Sequence, residues 1–272
     1  MQSILISGGN SGIGLQAARE FLARGHRVTL LGRDARKGEK ALASLADARD
    51  RASFHAVDLS THAGVRDAAQ QVLAVHDRFD AVLHSTGVFT SKDIRTTDGL
   101  HPFFTVNYLS RYHLTQLMLP ALRRAERPRV VMMTAKVPLS TPVDLSVFPR
   151  LEPFDFTRMR LPVQVANHHY AAHLADTEPS LLAGVVNAGA ARTDILRMTP
   201  WYVRTMAKAA GPVFFDSLET SAHNVVEACL RQDWPAATYW DKPGDFDRRM
   251  PIDLDKATTG QLMTVSRDIT GA

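Results

Sequence analysis

The eight residues Ser7-Gly8-Gly9-Asn10-Ser11-Gly12-Ile13-Gly14 constrain the fold of this chain more than any other stretch. An apolar run, Ile4-Leu5-Ile6, precedes them and predicts a buried first strand. Leu15 to Leu22 follows with one apolar face at helical spacing. Glycines crowded into a strand-to-helix turn let the backbone come close to a ligand and leave the first helical amides unpaired and facing it. Negative charge suits that position. Gly8, Asn10, Ser11, Gly12, Ile13 and Gly14 are therefore candidate contacts to the phosphates of a nucleotide.

The next strand, His26 to Leu31, indicates which nucleotide. A dinucleotide fold that takes NAD places a carboxylate after this strand to accept from the ribose 2′-hydroxyl. Here Gly32 and Arg33 follow instead. No acidic side chain would repel a 2′-phosphate, and a guanidinium stands where one could bind it bidentately, so the expected cofactor is NADP(H). Arg36 and Lys37 either add to that charge or form the solvated first turn of a helix capped by Asp34.

Further along, strands are predicted at 53–57, 80–84, 129–133 and 181–186, with helices between them. One starts after Ser60 or Thr61, and a long one spans 103–124. Alternating strands and helices with nearly continuous apolar strands predict an α/β fold: a Rossmann-type doubly wound parallel sheet, a single domain over 1–272. Ligands of such sheets sit beyond the carboxyl ends of the strands. The composition, 45% hydrophobic and 22% charged, is that of a folded soluble protein, and a net charge of +4 without a basic run gives nucleic acid no footing. The lone Cys229 excludes an internal disulfide and falls in an apolar helical stretch, where a packed thiol is the default. No secretion signal or membrane anchor is legible, and a cytoplasmic location is the expectation.

Taken in order, these segments resemble the short-chain dehydrogenase/reductase superfamily, specifically its retinol-dehydrogenase-like branch. Ser7 to Gly14 is similar to the family's TGxxxGIG, and Val57-Asp58-Leu59 to the step whose carboxylate contacts adenine. Thr97-Asp98-Gly99-Leu100 with Val106-Asn107 resembles TxDG…VN. The resemblance implies that Asp58 and Leu59 hold the adenine and that Gly87, in the rewritten NNAG (His84-Ser85-Thr86-Gly87), lies near the cofactor. It makes Asn107 the active-site asparagine. Asn187 to Asp194 is similar to HPGxxRTD, which implies that Thr193 reaches the nicotinamide carboxamide. The segment of about 195–215, rich in apolar and aromatic residues, would cover an apolar small-molecule substrate or simply pack as an amphipathic helix.

The family's proton relay is a serine, a tyrosine and a lysine, the last two spaced YxxxK. No tyrosine of this chain is followed four residues later by lysine. The branch's YxxSKLAN is similar to Arg160-Leu161-Pro162-Val163-Gln164-Val165-Ala166-Asn167, which puts Arg160 in the tyrosine's place and Gln164 in the lysine's. The paired serines become Thr134-Ala135. A guanidinium does not give up its proton at working pH, but it stabilises an oxyanion or enolate, or a carboxylate. A glutamine bonds a ribose without tuning a neighbour's pKa.

Other proton carriers are Lys136, which could equally be a salt-bridged surface residue, and His84, at a strand end near the cofactor. His169 and His173 share a helix face with metal-like spacing but lack an acidic third ligand, so no metal is expected. Pro162 suits the first turn of a helix. Three functions follow: a repurposed enzyme using Arg160 with His84 or Lys136 for cyclisation, isomerisation or another non-redox step; an atypical NADPH-dependent ketone reductase; or a nucleotide-sensing or partner-stabilising protein without chemistry. The chain would be a monomer or homodimer.

Overall fold

Each apolar run becomes one strand of a single sheet in a computed structural model, which describes residues 1–189 and 216–272. The strands are β1 (Ser3–Ser7), β2 (Arg27–Gly32), β3 (Ala52–Ala56), β4 (Ala81–His84), β5 (Arg129–Thr134), β6 (Leu182–Asn187), β7 (Ala237–Trp240) and β8 (Met250–Pro251). Their spatial order is β3-β2-β1-β4-β5-β6-β7-β8, parallel throughout except for the antiparallel β8. The order reverses between β1 and β4, which opens a crevice at the carboxyl edge there.

Both faces of the sheet are buried, which explains why its strands are apolar without alternation. Leu5, Val82, Val130, Met132 and Val185 point to one face, under α3 (His62–Leu73), α5 (Ser110–Leu122), α6 (Phe156–Thr177) and the C-terminal α8 (Lys256–Thr270). Ile4, Ile6, Leu83, Val131 and Val186 point to the other, under α1 (Gly12–Ala23), α2 (Ala35–Ala43) and α7 (Leu218–Leu230). Cys229 is fully buried in α7, and burial pushes its thiol up to about 12. No helix among the described residues is long and apolar enough to cross a membrane.

Three features depart from the sequence reading. The expected continuous helix over 103–124 is broken into α4 (Pro102–Phe104), a π turn at Thr105–Leu109, and α5. The wide turn brings Asn107 inward, where its side chain bonds the backbone of another segment. Pro162 is not in a first turn. Asp155 caps α6 by accepting from Thr157 N at 2.8 Å and Arg158 N at 3.4 Å, so the helix starts six residues before the proline. The proline ring then removes the amide that would have bonded the Arg158 carbonyl. Finally, β7 and β8 extend the sheet beyond the last expected strand. Trp240 anchors that edge, donating from Nε1 to the Phe246 carbonyl at 2.8 Å with its ring stacked on Phe246.

Candidate active site

The turn after β1 has the shape its glycines require. Gly8 adopts φ +77°, and a Cβ there would stand 2.8 Å from the Thr86 amide nitrogen. A Cβ on Gly14 would collide with Ser85 Oγ and the Gly8 carbonyl. Ser85 fixes the turn's other side, donating to the Ser7 carbonyl from both its amide (3.0 Å) and its hydroxyl (2.7 Å). Ser11 occupies the N-cap of α1 without a side-chain bond to the helix, so the first-turn amides are left for a ligand. Ile13 is buried beneath them, and the Asn10 amide lies against Gly32.

At the end of β2, Arg33 is exposed and has no partner among the described residues. Asp34 caps α2 by accepting from Lys37 N at 3.1 Å, as the solvated-turn reading of that segment expects. Asp58, exposed after β3, accepts from Ser60 N at 3.0 Å while Leu59 is buried beside it. Thr61 is the residue that caps α3.

The other half of the crevice is built from the ends of β4 and β5 and from α6. Asn107 clamps the segment that contains Gly87: its Oδ1 accepts from Val88 N and its Nδ2 donates to the Val88 carbonyl, both at 2.9 Å. Gln164 Oε1 accepts from Ala135 N at 3.2 Å, so the two positions that sequence similarity singled out meet at the mouth of β5. Arg160 lies one turn earlier on α6, exposed and unpaired among the described residues. Thr134 is buried, and its hydroxyl, like that of Thr86, has no hydrogen-bond partner among the described residues. Buried hydroxyls without partners at a strand edge are what a polar ligand would satisfy. Half-buried Phe89, next to the clamped Val88, and Phe156, one turn before Arg160 on α6, have ring centroids 5.1 Å apart and both meet Phe103 edge-on.

Two candidate proton carriers are corrected. Lys136 is the salt-bridged surface lysine of the plainer reading: its Nζ pairs with Asp241 Oδ2 at 3.3 Å, and Arg248 holds the same carboxylate. His84 is wholly buried, with Nε2 2.8 Å from Thr115 Oγ1. Burial, aided by the charge of Arg111, pushes its pKa down to about 3, so it remains neutral and does not exchange protons near pH 7. His169 Nδ1 lies 2.7 Å from Thr259 Oγ1 at the junction with α8, and no group of three His, Cys, Asp or Glu among the described residues is arranged to hold a metal. Thr193 and the segment 195–215 fall outside the described residues.

The sequence reading missed Arg111 and the role of Asn167. Arg111, buried on α5, donates from Nη1 to the Met133 carbonyl (2.6 Å) and Asn167 Oδ1 (3.1 Å), and from Nη2 to the Thr86 carbonyl (3.0 Å). Asn167 Nδ2 in turn donates to the Asn107 carbonyl at 3.1 Å. A signal was available: Arg111 follows Asn107 by four residues inside an otherwise apolar helical pattern, which puts a charge on the inward face.

Comparison with known proteins agrees with this geometry. The short chain dehydrogenase family model matches residues 2–145. Retinol dehydrogenase 12 of Mus musculus is 34% identical over 134 residues, 48% of this chain and 42% of the relative, so the chain spans under half of that relative's length. Retinol dehydrogenase 14 of the same species is 26% identical over 292 residues, 99% of this chain and 86% of the relative. Two solved structures share the fold. Salutaridine reductase from Papaver somniferum has a TM-score of 0.68 at 16% identity, covering 89% of this chain and 100% of that one. The alcohol dehydrogenase from the archaeon Thermococcus sibiricus complexed with 5-hydroxy-NADP has a TM-score of 0.67 at 19% identity, covering 91% and 98%. Retinol dehydrogenases are thus among the relatives it resembles, and since the family model covers more than half of its length, the chain belongs to the short-chain dehydrogenase/reductase superfamily.

Proposed function

We propose that this chain is an enzyme that binds NADP(H) and acts on an apolar carbonyl compound by a step that does without a tyrosine–lysine proton relay, such as cyclisation or isomerisation. The observation that carries this reading is the Gln164–Ala135 hydrogen bond at the mouth of β5. By the sequence resemblance these are the positions of the family's lysine and serine, and here an uncharged amide is held by the backbone of an alanine. Each tyrosine of the described residues has a hydrogen-bond partner, and none is followed four residues later by a lysine. Tyr108 bonds Ser266, Tyr112 the Ala272 carbonyl, Tyr170 the Gln116 side chain, and Tyr239 accepts from Val137 N.

The residues present suit the nucleotide: an uncapped helix start, a glycine cradle that a Cβ would fill, and Arg33 for a 2′-phosphate. NADP(H), when bound, supplies a hydride donor or acceptor. Thr134 Oγ1 offers a hydrogen bond to a substrate oxygen, and Phe89 with Phe156 offers an apolar wall to its carbon skeleton. Arg160 stabilises the negative charge that gathers on that oxygen, a contribution worth about 10²–10³ in rate for one well-aimed donor.

A second reading, an atypical NADPH-dependent reductase, is favoured by the names of the relatives, which are dehydrogenases and reductases. Incubation with NADPH and a panel of aromatic ketones and quinones, with nicotinamide absorbance followed, separates the two. NADPH binding without its oxidation supports the non-redox reading, and ketone-dependent oxidation supports the second. Once an activity is in hand, Arg160→Ala should remove it and leave nucleotide affinity nearly unchanged. An unaffected activity would strip Arg160 of its role.

A further inference from the structure

Arg111 is a buried cation without a counter-ion. The residue is 3% exposed, and its guanidinium meets carbonyl and amide oxygens of β5, α6 and the loop after β4; no carboxylate among the described residues pairs with it. Its Nε has no acceptor among the described residues. Burial lowers its pKa to about 9, so it is still charged at neutral pH, and the neighbouring His84 is neutral there. Taking an ion out of water costs several kcal/mol unless it is compensated, so packing alone does not account for this residue.

The position suggests what that charge acts on. Arg111 is bonded to the carboxyl ends of β4 and β5, beneath the second half of the doubly wound sheet. In that architecture the first half takes the adenosine and the second takes the other mononucleotide, the nicotinamide end. The two redox forms of that ring differ by one positive charge. Gln164 brings no charge from α6 and Arg160 of that helix is exposed, so the buried cation of this half is Arg111 of α5.

Resting on the reading that this crevice takes NADP(H), we propose that Arg111 sets the redox-form preference of the site: its buried charge disfavours the cationic ring of NADP⁺ and leaves the neutral ring of NADPH unopposed. A unit charge acting over about 10 Å at an effective dielectric near 20 changes an affinity ratio by roughly ten-fold.

Titration calorimetry with NADP⁺ and NADPH on the intact chain tests this. The wild type should bind NADPH roughly ten-fold more tightly, Arg111→Gln should lose that preference chiefly by tightening NADP⁺, and Arg111→Lys should keep it at pH 7. A purely structural role would weaken both forms alike. The ratio also cancels effects common to both, such as titration of the 2′-phosphate. Equal affinities in the wild type overturn the inference while the nucleotide site stands, and this holds even if Arg111→Gln fails to fold. An Arg111→Gln ratio equal to that of the wild type overturns it as well. Failure of both nucleotides to bind the wild type removes the site itself and the inference with it.

Discussion

In the proposed reading, Arg33 carries the choice of nucleotide. Exposed after β2 and without a partner among the described residues, it has nothing to give up on meeting a phosphate. Charge-assisted hydrogen bonds contribute about 1.5–3 kcal/mol. Arg33→Glu should therefore weaken NADPH binding by about ten- to a hundredfold and leave NADH nearly unchanged, as calorimetry with the two nucleotides would read. Equal losses for both would mean that the variant disturbs the turn rather than a phosphate contact. Gly14→Ala should do just that, because its methyl group meets the Gly8 backbone, which cannot swing aside. Binding of both nucleotides should be lost, with a destabilisation of about 1–3 kcal/mol seen by denaturant titration. The glycines of this turn were legible because their steric requirement depends on local spacing. Lys136 and His84 were not: whether a cation is paired, or an imidazole dry, depends on Asp241 and Thr115, which are remote in sequence.

At the level of elements, α6 is one continuous helix, Phe156–Thr177, that lacks a single backbone bond at Pro162. Asp155 holds its first turn with two backbone bonds, and Pro162 cuts the bond that would tie that turn to the next. Asp155→Ala should fray residues 157–161, with Arg160 among them, while Val163 onward stays protected by packing on the sheet. Hydrogen exchange would show this as faster exchange confined to the first turn. Exchange spreading past residue 163 would mean that the proline does not uncouple the two parts. Helix periodicity alone could not locate this boundary, since Pro162 suits a first turn as well as an interior kink. The π turn at Thr105–Leu109 escaped for a related reason. Its residues are all buried, so the apolar pattern continues across it unbroken. The parallel strands, by contrast, were legible in their sequence because burial on both faces makes each a short, dense apolar run.

For the whole molecule, the packed face under α5 and α6 holds histidines that burial keeps neutral. Burial lowers the pKa of His84 to about 3 and of His168 to about 4, against 6.5 in an unfolded chain, and lowers that of His113 in the same direction. Above pH 6.5 neither state binds these protons and stability does not depend on them. Below 6.5 the unfolded chain takes them up and the native state refuses them, so stability falls as pH falls, until the native pKa values are reached. Each fully buried histidine contributes a slope of up to about 1.4 kcal/mol per pH unit in that window. Carboxylates respond mostly below pH 5, which leaves the interval from 6.5 to 5 to the histidines. Thermal melts should give a Tm that is flat from pH 8 to 7 and declines steadily from 6.5 to 5. Replacing His84 with glutamine, which can still bond Thr115 Oγ1, should flatten part of that decline. A Tm constant down to pH 5 would mean that these imidazoles titrate freely in the native protein, and the face of the sheet that encloses them would not be as closed as the packing of β4 against α5 requires.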